Sequence, residues 1–236
     1  GNGPPMNLPD NKILAAVDIG SNSIHLIIAR MVLGSLQPIQ KYRERVQLAA
    51  GLTREQYLDE AAFERGIQCL QRIGNIIADH QPDSVRVVAT FTLRHALDRD
   101  DFISAGEQAL GYPIDVISGR EEARLIFQGV AHMQTLDQDV LIVDIGGGST
   151  EFAIGQRFDP YFRESCRMGC VSFRRDYFSA GIDSLAFRRA HTAALQAMEK
   201  YLPRLGKLRW DKTFATSGTA KTVSYTHLRA HETVRN

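Results

Sequence analysis

The feature that most constrains this chain is an internal echo. Residues 12–29 read KILAAVDIGSNSIHLIIA, and residues 140–155 read VLIVDIGGGSTEFAIG. Aligned on Asp18 and Asp144, both run as an apolar strand, Asp-Ile-Gly, a small-residue turn and a second apolar strand. The offset between the two aspartates, 126 residues, is far too long for a solenoid repeat and close to the size of one small domain. A chain of 236 residues has room for two such units. The expected fold is therefore a duplicated α/β domain in which each copy opens with a β-hairpin.

The stretches after each hairpin fit that expectation. In the first copy, residues 43–48 read as a third strand. Residues 59–80 carry Phe63, Ile67, Leu70, Ile73, Ile76 and Ile77 at helical spacing and stop at Pro82-Asp83. Residues 84–90, SVRVVAT, are β-branched and read as a strand. Residues 98–110 read as a helix ended by Gly111-Tyr112-Pro113, and residues 113–117 as a short strand. Ser118 then opens a helix through His132, with Glu121 and Glu122 in its first turn, where the helix dipole favours negative charge. In the second copy, residues 161–168 read as a third strand, 184–201 as a helix and 212–215 as a strand leading to Ser217-Gly218-Thr219. The resulting division is a tail at 1–11, a first lobe at 12–135, a second lobe at 136–222 and a non-native tail at 223–236.

The hairpin turns carry the first chemical signal. Glycines cost backbone entropy and pack nothing, so Gly146-Gly147-Gly148 before Ser149 needs a reason. One reason is positive φ in a tight turn. The other is close approach of backbone N–H groups to an anion, which a Cβ would obstruct. With Asp144, Ser149 and Glu151 flanking it, the turn is expected to bind phosphate. Ser21, Asn22 and Ser23 of the first turn are ordinary turn residues alone and become phosphate-binding candidates as the partner of the second. Asp18 and Asp144 end apolar strands, where a carboxylate is costly without partners. They read as holding a magnesium ion directly or through water, or as accepting hydrogen bonds from their own turns. Glu151 reads as a functional carboxylate, or as an exposed strand residue. His25, a lone strand histidine, reads as structural. The basic set Lys41, Arg43 and Arg45 extends an anion path or forms a solvated strand face.

Composition narrows the classes. The formal net charge is +1, so no charge excess points to nucleic acid, and a polyanion would need a local basic patch. No apolar run reaches the roughly 18 residues of a membrane span. The first twelve residues, GNGPPMNLPDNK, lack a signal-peptide core and read as a cloning remnant or loose tail. Cys69, Cys166 and Cys170 show no metal or redox spacing; they read as buried small hydrophobes and fit a reducing cytoplasm.

The segments AAVDIGSNSIHLIIAR, RVQLAAGL, RVVATFTLRHALD, VISGREEARLIFQGVAH, VDIGGGSTEFAIG, RMGCVSF and ATSGT occur in this order between residues 13 and 222. Together they resemble the exopolyphosphatase / guanosine pentaphosphate phosphohydrolase (Ppx/GppA) family. The resemblance implies two RNase H-like lobes of the actin, Hsp70 and sugar-kinase superfamily, with mixed sheets flanked by helices, closing on a phosphate-bearing ligand. It implies Glu122 of the Glu-Glu-Ala-Arg motif as the base that activates water, with Glu121 as the alternative. It also implies Asp144 and Glu151 as magnesium- and water-positioning carboxylates, Arg94 as a phosphate clamp, and Ser217, Gly218 and Thr219 as a late phosphate- or nucleoside-facing loop. The implied reaction is magnesium-assisted in-line hydrolysis of polyphosphate, or alternatively of guanosine pentaphosphate, in a cytoplasmic homodimer. An actin-like kinase or ATPase lacks the Glu-Glu-Ala-Arg helix, and a silent phosphate sensor would not need Glu122, Asp144 and Glu151.

The resemblance ends near Thr222, and family members are longer, so a truncated second lobe is expected. Residues 223–233 read as a translated sequencing adapter. His227 and His231 are therefore not taken as a metal pair despite their spacing.

Overall fold

The computed structural model describes residues 10–167, 192 and 208–216. The chain divides into two compact units between Ser118 and Gly119.

The first unit is built on a five-stranded sheet. Its strands are β1 (Ile13–Ile19), β2 (Ile24–Val32), β3 (Ser35–Glu44), β4 (Ser84–Ala89) and β5 (Asp115–Val116), in the order β3-β2-β1-β4-β5. β1, β2 and β3 pair antiparallel, while β4 runs parallel to β1 and β5 parallel to β4. The helices are α1 (Glu60–His80), α2 (Phe91–His95) and α3 (Arg99–Leu110). Alternate residues of the strands supply one core face: Ala15, Val17 and Ile19, then Ile24, Leu26 and Ile28. Against them lie Cys69, Leu70, Ile73 and Ile77 of α1 and Phe102 and Leu110 of α3. Fully burying each large aliphatic here contributes about 1.5–3 kcal/mol. α1 starts where Asp59 accepts a 2.7 Å hydrogen bond from the Ala62 amide, and it stops at Gln81, whose φ of 47° leaves the helical region.

The second unit repeats the plan. β6 (Val140–Ile145), β7 (Thr150–Gln156), β8 (Asp159–Cys166) and β9 (Lys212–Thr216) form a sheet in the order β8-β7-β6-β9. Here too the hairpin and third strand are antiparallel, and the fourth runs parallel to the first. Four positions of the first sheet, β3-β2-β1-β4, thus have counterparts in the second. The helix α4 (Gly119–Met133) packs on β7 and β8, burying Leu125, Ile126 and Phe127.

The duplicated α/β architecture is as expected, with differences of detail. α4 lies with the second unit, so the division falls at Ser118/Gly119 rather than at the expected residue 135/136. The third strand of the first unit runs from Ser35 to Glu44, not over 43–48. It is an edge strand with no fully buried residue, and it carries Pro38 beside a register shift at Ile28/Ala29. The short helix α2 was not foreseen. The helix expected at 184–201, the loop Ser217-Gly218-Thr219, Cys170 and the tail with His227 and His231 lie outside the described residues. Among the described residues, no helix is long and apolar enough to cross a membrane.

Candidate active site

Both hairpin turns close in the same way. The Gly20 amide donates to the Ser23 carbonyl at 3.0 Å, and the Gly146 amide donates to the Ser149 carbonyl at 3.0 Å. A Cβ at Gly20 would sit 2.9 Å from the Ser23 carbonyl oxygen, and one at Gly146 would sit 3.2 Å from that of Ser149. None of Gly20, Gly146, Gly147 and Gly148 has a positive φ. Positive φ is therefore not the reason for these glycines; at Gly20 and Gly146 a Cβ would instead crowd the turn's own carbonyl oxygen. The first turn is held rigid from outside: the Ser21 carbonyl accepts from the Ala49 amide and the Asn22 carbonyl from the Gln47 amide, each at 2.9 Å. Thr92 Oγ1 donates to Ser21 Oγ at 2.8 Å in a buried pair.

The antiparallel registers lay out one row of side chains in each unit. In the first, Asp18 faces His25 and His25 faces Arg43. In the second, Asp144 faces Glu151 and Glu151 faces Ser165. Directly opposed residues share a sheet face. Asp18, Ser21 and Ser23 are buried in the first row's turn. Arg43 Nε donates to Ser23 Oγ at 3.4 Å. Burial, with the Arg43 charge adding to it, pushes the His25 imidazolium down to about 4, so His25 is neutral at neutral pH.

Glu151 is a strongly perturbed carboxylate. Only 2% of it is exposed, and Asp144 is 5% exposed. Its two oxygens are held by serine hydroxyls: Ser149 Oγ donates to Oε1 at 2.9 Å and Ser165 Oγ donates to Oε2 at 2.6 Å. Burial pushes its proton affinity well above the usual carboxylate range. The charges of Glu122 and Asp144 push it further, against the two serine hydrogen bonds. The same electrostatic neighbourhood separates Glu122 from Glu121. Glu121 is engaged bidentately by Arg124, at 2.6 and 2.9 Å, whereas Glu122 acts on Glu151. α4 can bring Glu122 to this point because Gly119, its first residue, lies directly on Ser165, where a Cβ would collide with that side chain.

Arg94, on α2, donates through Nη1 to the Ile117 carbonyl at 2.9 Å, and its guanidinium lies 6.0 Å from the Phe91 ring centre. The second unit thus gathers Glu122, Asp144, Ser149 and Glu151, and the first gathers Asp18, Ser21 and Ser23. Thr92 and Ser165 were missed by sequence reading. Ser165 is a lone serine 14 residues beyond Glu151, and only counting outward from the β7–β8 turn could have paired them. Cys69 is buried with its thiol pushed up in pKa by that burial, and Cys166 is half-buried and shifted the same way.

The model of the Ppx/GppA phosphatase family matches residues 27–234. The chain belongs to that family. A Haemophilus influenzae protein provisionally named an exopolyphosphatase is 42% identical over 212 residues, which are 89% of this chain and 66% of that protein. The chain therefore spans just under two thirds of that relative. The crystal structure of the Aquifex aeolicus Ppx/GppA family member is 26% identical with a TM-score of 0.71, covering 88% of this chain and 67% of that one. An exopolyphosphatase from Cytophaga hutchinsonii is 23% identical with a TM-score of 0.76, covering 94% and 72%, and shows the shared fold. As a Ppx/GppA protein the chain has the fold the family resemblance implied, RNase H-like lobes of mixed sheet and flanking helix, and the repeat's duplicated α/β plan agrees with it.

The donor set of this Ppx/GppA chain suits a hard divalent cation. Oxygen ligands dominate the second row, and buried like-charged carboxylates are what a cation would relieve. Among the described residues, no three histidine, cysteine or carboxylate side chains converge as a complete metal cage. Magnesium does not require one, since it is commonly held by one or two carboxylates together with water and substrate phosphate.

Proposed function

We propose that this chain carries the catalytic apparatus of an exopolyphosphatase that releases orthophosphate from polyphosphate ends. The observation that carries this reading is the buried pair Asp144 and Glu151, with the half-buried Glu122 acting on Glu151, beside the glycine turn that ends at Ser149. Phosphoryl transfer needs an attacking water in line, neutralised phosphate oxygens and donors that hold the chain. Backbone amides of Gly146, Gly147 and Gly148, the Ser149 hydroxyl and the first turn, Ser21, Asn22 and Ser23, bind phosphate oxygens. Arg94 clamps them with its planar fork. Glu122 takes the proton of the attacking water, and Glu151 orients that water while its two serines fix its carboxylate. Asp144 and Glu151 in the second unit would hold Mg2+, and Asp18 in the first is a further candidate for a metal-bound or phosphate-bound water; the ion would supply positive charge to the phosphate oxygens. Ser217, Gly218 and Thr219 contribute a late phosphate-facing loop. At full length the protein would act in the cytoplasm as a homodimer.

The test is magnesium-dependent phosphate release from long-chain polyphosphate, guanosine pentaphosphate and ATP, by the protein at native full length and by its Glu122→Gln variant. Preferred turnover of polyphosphate, lost in the variant, is the expected result. Preference for guanosine pentaphosphate would move the protein to the other branch of the family. Transfer from ATP to an acceptor would overturn the hydrolase reading.

A further inference from the structure

The two units share an aspartate at the first position of the row and place chemically unlike side chains at the other two. Asp144, Glu151 and Ser165 occupy successive strands of the second sheet, while Asp18, His25 and Arg43 occupy the same places in the first. Counting from the aligned aspartates, His25 and Glu151 each lie seven residues on. In the second unit the row is acidic and its outermost member is a neutral donor. In the first, the middle member is a neutral imidazole and the outermost a permanent cation.

Arg43 is placed for more than strand solubility. Its Nε donates to the hydroxyl of Ser23, the residue that closes the first turn. That bond uses one of five guanidinium N–H donors. Among the described residues no carboxylate pairs with Arg43, and no further hydrogen bond is formed by its two Nη groups. The side chain is exposed, and Lys41 lies two residues along the same face of β3. A cation tied at one edge to a phosphate-loop serine, with its remaining donors unspent, matches a bidentate oxyanion contact. Lys41 extends the same polarity outward as a point charge.

We propose that Arg43 forms an anion subsite at the outer edge of the first turn, contacting a phosphoryl group of a polyphosphate chain beside the one held by Ser21–Ser23. The proposal rests on the phosphate-binding reading of the first turn, and it assigns Arg43 to binding rather than to bond cleavage.

The test measures inorganic tripolyphosphate binding by titration calorimetry for the native protein, Arg43→Gln, Arg43→Lys and the control Arg30→Gln, an exposed strand residue. Phosphate release from polyphosphate is measured alongside. Arg43→Gln is expected to weaken tripolyphosphate binding about tenfold, the scale of one charge-assisted contact, and to raise KM with kcat little changed. Arg43→Lys should recover part of the loss, and Arg30→Gln should match the native protein. Thermal midpoints of all four should agree, since Arg43 is exposed. Unchanged binding in Arg43→Gln, equal loss in Arg30→Gln, or no tripolyphosphate binding by the native protein overturns the subsite. If the binding pattern holds but no variant or native protein hydrolyses polyphosphate, the subsite stands and the exopolyphosphatase reading falls.

Discussion

Ser165 Oγ donates a 2.6 Å hydrogen bond to Glu151 Oε2 from the neighbouring strand, and Ser149 Oγ supplies the other oxygen at 2.9 Å. A carboxylate this deeply buried is kept in one orientation by these two hydroxyls. Ser165→Ala removes one of them and leaves a buried acceptor unmatched, at a cost of about 1–3 kcal/mol. Losing a hydrogen bond that favours the charged form also moves the Glu151 proton affinity higher still. The expected outcome is a lower denaturant midpoint and an acid limb of activity displaced toward higher pH. Chemical denaturation and a pH–rate profile check both, and an unshifted acid limb would remove Ser165 from the site.

Glu121 and Glu122 are adjacent in sequence yet differ in company. Glu121 is paired with Arg124 on the half-exposed side of α4. Glu121→Gln should therefore cost no more than about 1 kcal/mol of stability and keep most turnover. Glu122→Gln should reduce turnover by about 10²–10⁴ with a native-like thermal midpoint. Reversed effects in the same phosphate-release assay would reassign the base to Glu121.

Thr92 supports the first turn from α2 through its bond to Ser21. Thr92→Val keeps the shape and strips the donor from a buried hydroxyl pair, so a loss of about 1–3 kcal/mol is expected. Thr92→Ser should retain most of the stability. Equal midpoints for the valine and native proteins in urea unfolding would show that the pair does not hold the turn.

Glu44 is gripped by Arg72, with Nε 2.5 Å from Oε1 and Nη2 2.8 Å from Oε2. Tyr42 adds a hydroxyl hydrogen bond. Chiefly because of the Arg72 hydrogen bonds, and against partial burial, the Glu44 carboxyl falls to about 2. Its folded value lies below the unfolded one, so its stabilisation is present in full above about pH 4.5. It is lost as pH falls from there through about 2. Glu44→Gln should flatten stability against pH in that acid window and leave the neutral-pH slope alone. Thermal melts across the window measure it.

What sequence reading could reach follows physical lines. Both hairpins were legible because each couples a long apolar period to a turn signal, and α1 because Asp59, the 3.6-residue spacing and Pro82 agree with one another. β3 was misplaced because its pattern carries little burial. Pro38 sits opposite Ala29 at the register shift, and the strand lies at the sheet edge, where polar residues are tolerated on both sides. α2 was missed because five residues show no period. At the site, Asp18, Asp144, Glu151 and the turn residues announced themselves by their place at strand ends. Thr92 and Ser165 did not, since their importance comes from strand register and from a helix laid down 71 residues after Ser21.

The shared Gly–Ser closure of the two turns, set against the unlike rows behind them, bears on how such a protein can arise. A single unit assembling as a symmetric pair would carry identical rows, so any gain of positive charge in one copy would be imposed on the other. Two units encoded in one polypeptide are free of that constraint. Mutations that make one row acidic leave its sister untouched, and the difference between the two rows becomes heritable.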